Sequence, residues 1–273
     1  MNSTDPVGPP SQESWTTLGQ VVALVRRAGM AAMAFYRDGA TTVVEKHDGL
    51  GPVTDADHAS HRIIVDGLAQ FSRLPIISEE GCIPDADARR SWTHFWLVDP
   101  LDGTKEFLSG NGEFTVNVAL ISDGIPVLGV VFAPATGHMY FAAHDCGAWC
   151  QLDSEAPRRL FSAPAPVNAG LRVVESRSHR STVLDAFLET VPVVKRSRIG
   201  SSLKFCWLAE GRADVYPRLT PIMEWDVAAG DCIFRYSGRD RARTSPLRYN
   251  NPDLRIPRFV IGIEDSTSPE ALR

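Results

Sequence analysis

The sequence lacks the features that mark membrane, secreted and nucleic-acid-binding proteins. It has no continuous apolar run of about 18 residues, the length that a membrane-spanning helix needs. Its N-terminal stretch, MNSTDPVGPPSQES, has neither a basic segment nor an apolar core, so it does not match a secretory signal. The net charge of -5 gives no overall attraction to a nucleic-acid polymer or a membrane surface. These absences favour a cytoplasmic protein with no membrane span and no nucleic-acid polymer as partner.

Cysteine is scarce too, with five residues and no Cys-x-x-Cys pair. An odd number of widely spaced cysteines in a chain of 273 residues is typical of reduced thiols. His144, Cys146 and Cys150 lie close together but lack a fourth ligand nearby. The sequence therefore favours neither a disulfide framework nor a structural zinc site.

The hydrophobic pattern divides the chain into two halves. In the first half, helical periodicity over residues 14–37 and 57–71 precedes the segment EFTVNVALISDGIPVLGVVFAPATGHMYFAA, which predicts an antiparallel meander. In the second half, short strands alternate with helices predicted over residues 181–190, 201–210 and 227–236.

The Pro- and Ala-rich stretch FSAPAPVNAG, residues 161–170, resembles a linker between these halves. We therefore predict a fold that combines α+β and α/β parts. The expected divisions are a disordered tail at 1–13, an N-terminal α+β domain at 14–160 that carries most of the metal ligands, and a C-terminal α/β domain at 161–273.

Paired acidic residues follow apolar or strand-like runs in four segments: PVTDAD, PIISEEG, FWLVDPLDGT and PIMEWD. Each pattern alone is common in turns and helix caps. If the four segments meet in space, however, their carboxylates repel one another and cannot all ionise without a cation. Oxygen ligands without histidine or cysteine favour Mg²⁺, Mn²⁺ or Ca²⁺ over zinc. The spacing in DPLDGTKEFLSG does not fit an EF-hand calcium loop.

Gly103 and Thr104 follow two of these acids, and the segment TKEFL can begin a helix. Free backbone N–H groups at such a turn attract an anion, and Gly103 has no Cβ to keep a phosphate away from the main chain. The Thr104 hydroxyl can hold and orient a water molecule. A metal site beside an anion-binding turn predicts metal-assisted phosphoester hydrolysis.

The blocks PVTDAD, ISEEG, DPLDGTKEF and EWDVAAGD resemble the signature segments of the inositol monophosphatase superfamily of Mg²⁺-dependent, Li⁺-sensitive phosphatases. Within it, DPLDGTKEF, NGEFTVNVAL, SRSH, GSSLKFC and AEGRADVYPR are most similar to 3'(2'),5'-bisphosphate nucleotidases. The resemblance runs from residue 17 to residue 234. It implies a layered αβαβα sandwich of the inositol monophosphatase and fructose-1,6-bisphosphatase type. It also implies hydrolysis of the 3'-phosphate of adenosine 3',5'-bisphosphate to AMP and phosphate.

The resemblance further implies a set of metal ligands. Glu79, Asp99 and the carbonyl oxygen of Leu101 would hold a first Mg²⁺ ion. Asp99, Asp102 and Asp226 would hold a second ion, so Asp99 would bridge the two. A third, weaker ion would depend on Glu79, and Mn²⁺ could take the place of Mg²⁺.

By the same resemblance, the catalytic residues are Asp57, Thr104 and Glu79. Thr104 and Asp57 would orient and deprotonate the attacking water, and the N–H groups of Gly103 and Thr104 would bind the phosphate that is cleaved. The nucleotide side would be formed by Ser176, Ser178, His179, Gly200, Ser201, Lys204 and Arg218. A cation such as Lys204 or Arg218 could meet the phosphate that is not cleaved.

Alternatives remain open at this point. The substrate could be inositol monophosphate or fructose 1,6-bisphosphate, and the chain could be a non-catalytic metal- or nucleotide-binding homologue. The segment CIFRYSGRDRARTSPLRYNNPDL, which follows Asp231, is shorter and more basic than the family pattern, so the edge of the second sheet could be trimmed. The family resemblance also suggests a homodimer.

Overall fold

The computed structural model describes residues 11–38, 42–45, 52–162, 170–178, 182–238 and 247–262. The helices in these residues are α1 (Gln12–Asp38), α2 (Asp55–Phe71), α3 (Ala86–Arg89), α4 (Thr104–Leu108), α5 (Thr182–Leu188), α6 (Leu203–Ala209) and α7 (Glu224–Arg235). The strands are β1 (Val43–Glu45), β2 (Pro52–Thr54), β3 (Ile76–Ser78), β4 (His94–Asp102), β5 (Thr115–Ser122), β6 (Ile125–Ala133), β7 (His138–Ala143), β8 (Gly147–Leu152), β9 (Arg158–Arg159), β10 (Leu171–Ser176), β11 (Val193–Ile199), β12 (Tyr216–Arg218), β13 (Ile222–Met223), β14 (Arg255–Ile256) and β15 (Phe259–Ile261).

A large sheet with the strand order β3-β4-β5-β6-β7-β8-β9 forms the centre of the first half. Strands β3 and β4 are parallel, and each later pair is antiparallel. The predicted meander is confirmed as β5, β6 and β7, while β8 and β9 were missed. The alternation in β8, where Ala148 and Cys150 are buried and Trp149 is half-buried, was the available signal.

Side-chain alternation along the large sheet gives it two apolar faces. On β4, Trp96 and Val98 pack with α1 and α2 in one core cluster. Phe95 and Leu97 point the other way and pack with α6 and α7 in another. Because both faces are covered, these strands read as nearly continuous apolar runs rather than alternating ones.

A smaller sheet lies beyond α6 and α7. Strands β10 and β11 are parallel, β12 and β15 are antiparallel, and the bridge between Val173 and Val215 joins the two pairs. One face of this sheet shares the core of α6 and α7 through Val174 and Tyr216. The other face packs on α5 through Leu184 and other residues. The resulting order of helix, sheet, helix, sheet and helix layers confirms the expected fold class.

Helix α1 combines length with an apolar composition. Its stretch Gln12–Tyr36 reaches a hydropathy of 1.2, which by length and composition would suffice to cross a membrane. The absence of a continuous apolar run therefore does not by itself exclude a span. In this fold, however, Leu18, Val21 and Leu24 are buried against α2 and the large sheet. Helix α1 thus forms an outer layer of the fold, with one side packed against the core.

Several predicted boundaries shift in the structure. Helix α1 begins at Gln12 rather than residue 14, and α7 begins at Glu224 rather than Val227. Residues 1–10 and 163–169, which hold most of the predicted tail and linker, lie outside the described residues. The domain division at residue 160 stays a prediction. One core cluster combines residues from both sides of it, including Ile77 and Ile261.

Helix α7 lies close to the large sheet at Gly129. A Cβ atom there would lie 2.6 Å from the Ala229 carbonyl oxygen and 2.6 Å from Cys232 Cβ. We expect Gly129→Ala to destabilise the fold by about 1–3 kcal/mol, because backbone rather than a flexible side chain must move. The free energy of unfolding in denaturant, with metal concentration held fixed, measures this effect.

Gly19→Ala is the matched control. Gly19 lies in the exposed part of α1, and a Cβ there would meet nothing within 4 Å. It should stabilise the protein by up to about 1 kcal/mol, since alanine favours a helix interior over glycine. Equal effects of the two substitutions would contradict the close packing of α7 on β6.

Candidate active site

The site lies where strand β4 ends. The strand does not stop at Asp99, as the sequence suggested, but continues to Asp102. Its pairing with β5 is irregular in between, with Asp99 opposite Asn117 and Asp102 opposite Thr115. Residues three apart on a regular strand point to opposite faces, and a bulge changes that direction. Asp99 and Asp102 both line the same cavity as a result.

Three carboxylates from distant segments meet here. Glu79 follows β3, Asp99 lies in β4, and Asp226 lies in the first turn of α7. One carboxylate oxygen of each lies within 4.8 Å of the others. The N–H group of Glu79 donates to the Val98 carbonyl oxygen at 3.1 Å, which fixes the end of β3 beside β4.

The cluster is electrostatically unfavourable without a cation. Asp99 is 1% exposed; its Oδ1 accepts a hydrogen bond from the Leu101 N–H at 3.1 Å. Its Oδ2 is buried and has no hydrogen-bond partner among the described residues. Burial raises the pKa of Asp99 well above its ordinary value, and the charges of Glu79, Asp102 and Asp226 raise it further. Burial, together with Asp102 and Glu79, likewise raises the pKa of Asp226.

These observations fit a hard divalent cation. An orphaned carboxylate oxygen offers a coordination position, and bound positive charge would remove the repulsion that raises the pKa values. The donors are oxygen atoms, which suit Mg²⁺. Glu79, Asp99 and Asp226 form the cluster, and Asp102 and Leu101 line the cavity beside it.

A hydrogen-bonded chain holds the ligand-bearing elements together. Asn117 Nδ2 donates to Asp102 Oδ2 at 3.1 Å and lies 3.1 Å from Ser202 Oγ. Ser202 Oγ in turn donates to the Asp226 carbonyl oxygen at 2.6 Å. The chain links β5 to the start of α6 and to α7. Sequence reasoning missed Asn117, although an asparagine inside the apolar segment TVNVAL was the available signal.

The turn after β4 leads into a helix, as the sequence predicted. Gly103 has φ 91°, in the left-handed region that favours glycine, and α4 begins at the next residue. The Gly103 carbonyl oxygen accepts from the Phe107 N–H at 2.8 Å. Thr104 Oγ1 lies 3.5 Å from the Leu101 carbonyl oxygen. Gly103 and Thr104 both line the cavity.

The cavity has a volume of about 330 Å³, and basic residues line it together with the carboxylates. Four residues predicted for the nucleotide side line it: Ser176, Ser201, Lys204 and Arg218. The Lys204 ammonium group is buried and donates to the Ser201 carbonyl oxygen. Burial lowers the pKa of Lys204, while nearby Asp102 acts in the opposite direction.

Other predicted residues lie around the cavity rather than in its wall. Asp57 is buried and caps α2, with its Oδ2 accepting from the Thr54 N–H and hydroxyl at 2.8 and 2.6 Å. Ser178 Oγ donates to Glu106, which does line the cavity. The Gly200 N–H donates to Glu113 at 2.8 Å. His179 lies outside the described residues.

Asp55 and Glu224 are among the grouped acids that do not join the cluster. The buried carboxylate of Glu224 accepts hydrogen bonds from the N–H groups of Asn250 and Asn251, at 2.9 and 2.8 Å. Asp55 is exposed and accepts from the Thr42 N–H at 3.1 Å. The four segments therefore do not bring all of their acids to one point. Backbone N–H groups from other parts of the chain bind Asp55 and Glu224 instead.

Sequence reasoning also missed part of the lining. Glu106, Trp225 and Arg255 all line the cavity. The Nε1 atom of Trp225 is buried without a hydrogen-bond partner among the described residues. Trp225 precedes Asp226 in the sequence, which was the only signal for it. Arg255 comes from a remote segment that pairs with β13, so no local pattern pointed to it.

Comparison with known proteins places these features in a family. The chain is 45% identical over 230 residues to the 3'(2'),5'-bisphosphate nucleotidase CysQ of Escherichia coli O157:H7, covering 81% of this chain and 88% of that protein. It is 45% identical over 256 residues to the CysQ of Salmonella typhimurium, covering 88% and 98%.

A solved structure is also similar. The crystal structure of CysQ from Bacteroides thetaiotaomicron, described as a bacterial member of the inositol monophosphatase family, matches with a TM-score of 0.77 and 36% identity, covering 91% of this chain and 97% of that one. The model of the inositol monophosphatase family matches residues 14–242. The carboxylate cluster, the layered fold and these similarities together show that the chain belongs to the inositol monophosphatase family.

Proposed function

We propose that this protein is a Mg²⁺-dependent phosphomonoesterase that hydrolyses the 3'-phosphate of adenosine 3',5'-bisphosphate to AMP and phosphate. The relatives that are 45% identical over most of the chain are named as nucleotidases of this type. The observation that carries the proposal is the buried, unpartnered Asp99 Oδ2 beside the carboxylates of Glu79 and Asp226. This arrangement favours bound cations at the point where a phosphate would be cleaved.

We assign the cations to the residues of the cluster. Glu79, Asp99 and the Leu101 carbonyl oxygen would hold one Mg²⁺ ion, and Asp99, Asp102 and Asp226 a second. A third ion would depend on Glu79, and Mn²⁺ could substitute for Mg²⁺. When bound, the cations supply positive charge that stabilises the transferring phosphoryl group and acidifies water.

Groups of the chain itself would bind the phosphate, orient the attacking water and accept its proton. The left-handed backbone at Gly103 leaves room for a phosphate to approach the N–H groups of Gly103 and Thr104. We assign the Thr104 hydroxyl to orienting the attacking water and the Asp57 carboxylate to accepting its proton. The two hydrogen bonds from Thr54 fix the orientation of that carboxylate. The charge of Asp57 also contributes to the raised pKa of Asp99, which supports this assignment.

The basic side of the cavity supports a substrate with a second anionic group. Lys204 and Arg218 line the same cavity as the carboxylates. A buried ammonium group binds an anion more strongly than one in water, because the surroundings screen the charge less. We propose that these two cations meet the 5'-phosphate, which is not cleaved. A substrate with a single phosphate would forgo that contact.

We also propose a cytoplasmic location and a homodimer. The location accords with five free cysteines, four of them buried. The homodimer follows from the family resemblance alone.

Substrate preference tests the proposal directly. We expect kcat/KM for adenosine 3',5'-bisphosphate to exceed that for inositol 1-phosphate by about tenfold or more, because one charged hydrogen bond contributes about 1.5–3 kcal/mol. Fructose 1,6-bisphosphate should also be poorer, since its second phosphate is placed differently. Phosphate release from the three compounds at equal Mg²⁺ concentration measures the order.

The Lys204→Met variant serves as the control for this panel. It should lose most of the preference for the nucleotide while still hydrolysing the other two compounds. If the nucleotide is the poorest substrate of the wild-type protein, the proposed substrate is wrong. If none of the three releases phosphate, the chain is a non-catalytic homologue.

Metal binding has a signature that does not depend on turnover. Folding raises the pKa values of Asp99 and Asp226. For each group, the metal-free fold therefore binds more protons than the unfolded chain at any pH between the unfolded and the folded pKa. The contribution of these two groups to the stability of the metal-free protein should be most favourable below about pH 4. It should become less favourable as the pH rises from there. Mg²⁺ at about 100 times its Kd should restore about 2.7 kcal/mol. Thermal unfolding with EDTA and with Mg²⁺ measures both effects.

Asp99→Asn should remove this response. The variant should unfold at a higher temperature than wild type in EDTA at pH 7, gain little from Mg²⁺, and lose at least about 100-fold in kcat/KM. Asp123→Asn is the matched control, because Asp123 is exposed at a turn with φ 50°, which asparagine also adopts. An unchanged Mg²⁺ response in Asp99→Asn would refute the metal assignment.

Inhibition by Li⁺ follows from the family resemblance. Li⁺ is a small hard cation that can compete for the same oxygen ligands. We expect activity to fall with increasing LiCl while equal concentrations of KCl leave it unchanged. Identical dose-response curves for the two salts would show that this protein departs from the family in this respect.

A further inference from the structure

One carboxylate outside the cavity holds the ends of two strands together. Glu113 accepts hydrogen bonds from Arg177 Nε and Nη2 at 2.5 and 2.6 Å, and from the Gly200 N–H at 2.8 Å. Arg177 directly follows β10 and Gly200 directly follows β11. Arg177 Nη2 also donates to the Arg198 carbonyl oxygen at 2.9 Å. Glu113 thereby fixes the carboxyl ends of the two parallel strands relative to each other.

The main chain of Glu113 lies against the phosphate-binding turn as well. A Cβ atom added at Gly103 would lie 3.3 Å from the Glu113 carbonyl oxygen. One added at Gly200 would lie 2.6 Å from the same oxygen and 2.7 Å from Glu106 Cγ. Glu113 therefore touches both the turn that carries Gly103 and the end of the second sheet.

Both places border the cavity. Gly103 and Thr104 line it on the side of the large sheet, and Ser176 and Ser201 line it at the ends of β10 and β11. Ligands of α/β proteins bind outside the carboxyl ends of parallel strands. The affinity of a ligand that contacts both places therefore depends on the distance between them. The affinity of a smaller ligand bound at the turn alone does not.

We propose that Glu113 is a positioning residue that sets the separation between the phosphate-binding turn and the second sheet, and thereby the affinity for substrates that span both. This inference rests on the proposed function, in which the nucleotide spans the cavity. Glu113 and Arg177 do not themselves line the cavity. They act through Gly103, Ser176 and Ser201, so their loss should weaken substrate binding and leave the cleavage step intact.

The size of the effect follows from the geometry. The side chains of Arg177 and Glu113 are 44% and 22% exposed, so solvent screens the pair in part. The contact is nevertheless bidentate and shares one oxygen with a backbone N–H group. We expect Glu113→Gln and Arg177→Met each to raise KM for adenosine 3',5'-bisphosphate about threefold to tenfold.

Steady-state kinetics with a competing anion tests the inference. Inorganic phosphate serves as a competitive inhibitor that occupies the turn without reaching the second sheet. In both variants, kcat and the inhibition constant of phosphate should stay within twofold of wild type while KM for the nucleotide rises. Arg177→Lys, which keeps the charge but not the two-pronged geometry, should give an intermediate KM.

Glu210→Gln is the matched control. Glu210 is 6% exposed and pairs with Arg158 and Arg212, away from the residues that line the cavity. The Glu210→Gln variant should leave KM unchanged, even if its thermal midpoint falls as much as that of the Glu113→Gln variant. Loss of affinity in step with loss of stability across all variants would mean that Glu113 is merely structural.

Other results also overturn the inference. These are a fall in kcat with KM unchanged, an equal rise of KM and the phosphate inhibition constant, and no change at all. If the wild-type protein releases no phosphate from the nucleotide, the proposed function fails first, and this inference fails with it. The two failures are thus distinguished by the wild-type rate alone.

Discussion

Repulsion between buried carboxylates is the constraint on which this structure depends. Asp99 lies within a fully buried stretch of β4, where water cannot screen its charge. Glu79 and Asp226 bring two more negative groups to it from distant parts of the chain. Such a cluster destabilises the fold unless protons or cations neutralise it. Burial of the apolar layers on both faces of the large sheet supplies the stability that offsets this repulsion. Active sites commonly require such compensation.

The fold keeps these charges together through contacts that are not themselves acidic. Asn117 and Ser202 connect Asp102 to the main chain of Asp226, so the start of α7 is tied to β5 by neutral hydrogen bonds. The absence of a Cβ at Gly129 lets α7 lie directly on β6. Preorganised ligands need such support, because small displacements of a metal-binding carboxylate weaken the site.

The fold class could be predicted from periodicity because the layers are regular and their apolar faces are long. The meander of β5, β6 and β7 is an example, with its Asp-Gly turn visible in the sequence. Boundaries were less predictable. The bulge between Asp99 and Asp102 carries β4 past a dipeptide, Asp-Pro, that usually marks a turn, and only pairing with β5 reveals this.

In the site, motif resemblance identified the acids that the structure gathers, namely Glu79, Asp99, Asp102 and Asp226. Spacing alone grouped them with Asp55 and Glu224, because a carboxylate at a helix start has the same pattern whether it binds a cation or a backbone N–H group. Residues such as Glu113 and Arg255 were out of reach for a physical reason. Their partners lie far along the chain, and nothing local distinguishes them from solvated charges.

The three hydrogen bonds that Glu224 accepts from Asn250 and Asn251 have a consequence for the far end of the chain. Glu224 is the first residue of α7, two positions before Asp226. A protein shortened before Asn250 would leave this buried carboxylate without these hydrogen-bond donors. The carboxylate lies at the start of the helix that carries Asp226. Desolvated charge without a partner is strongly unfavourable, so the first turn would rearrange. Where the polypeptide is cut at its carboxyl terminus therefore decides whether the carboxylate cluster keeps its shape.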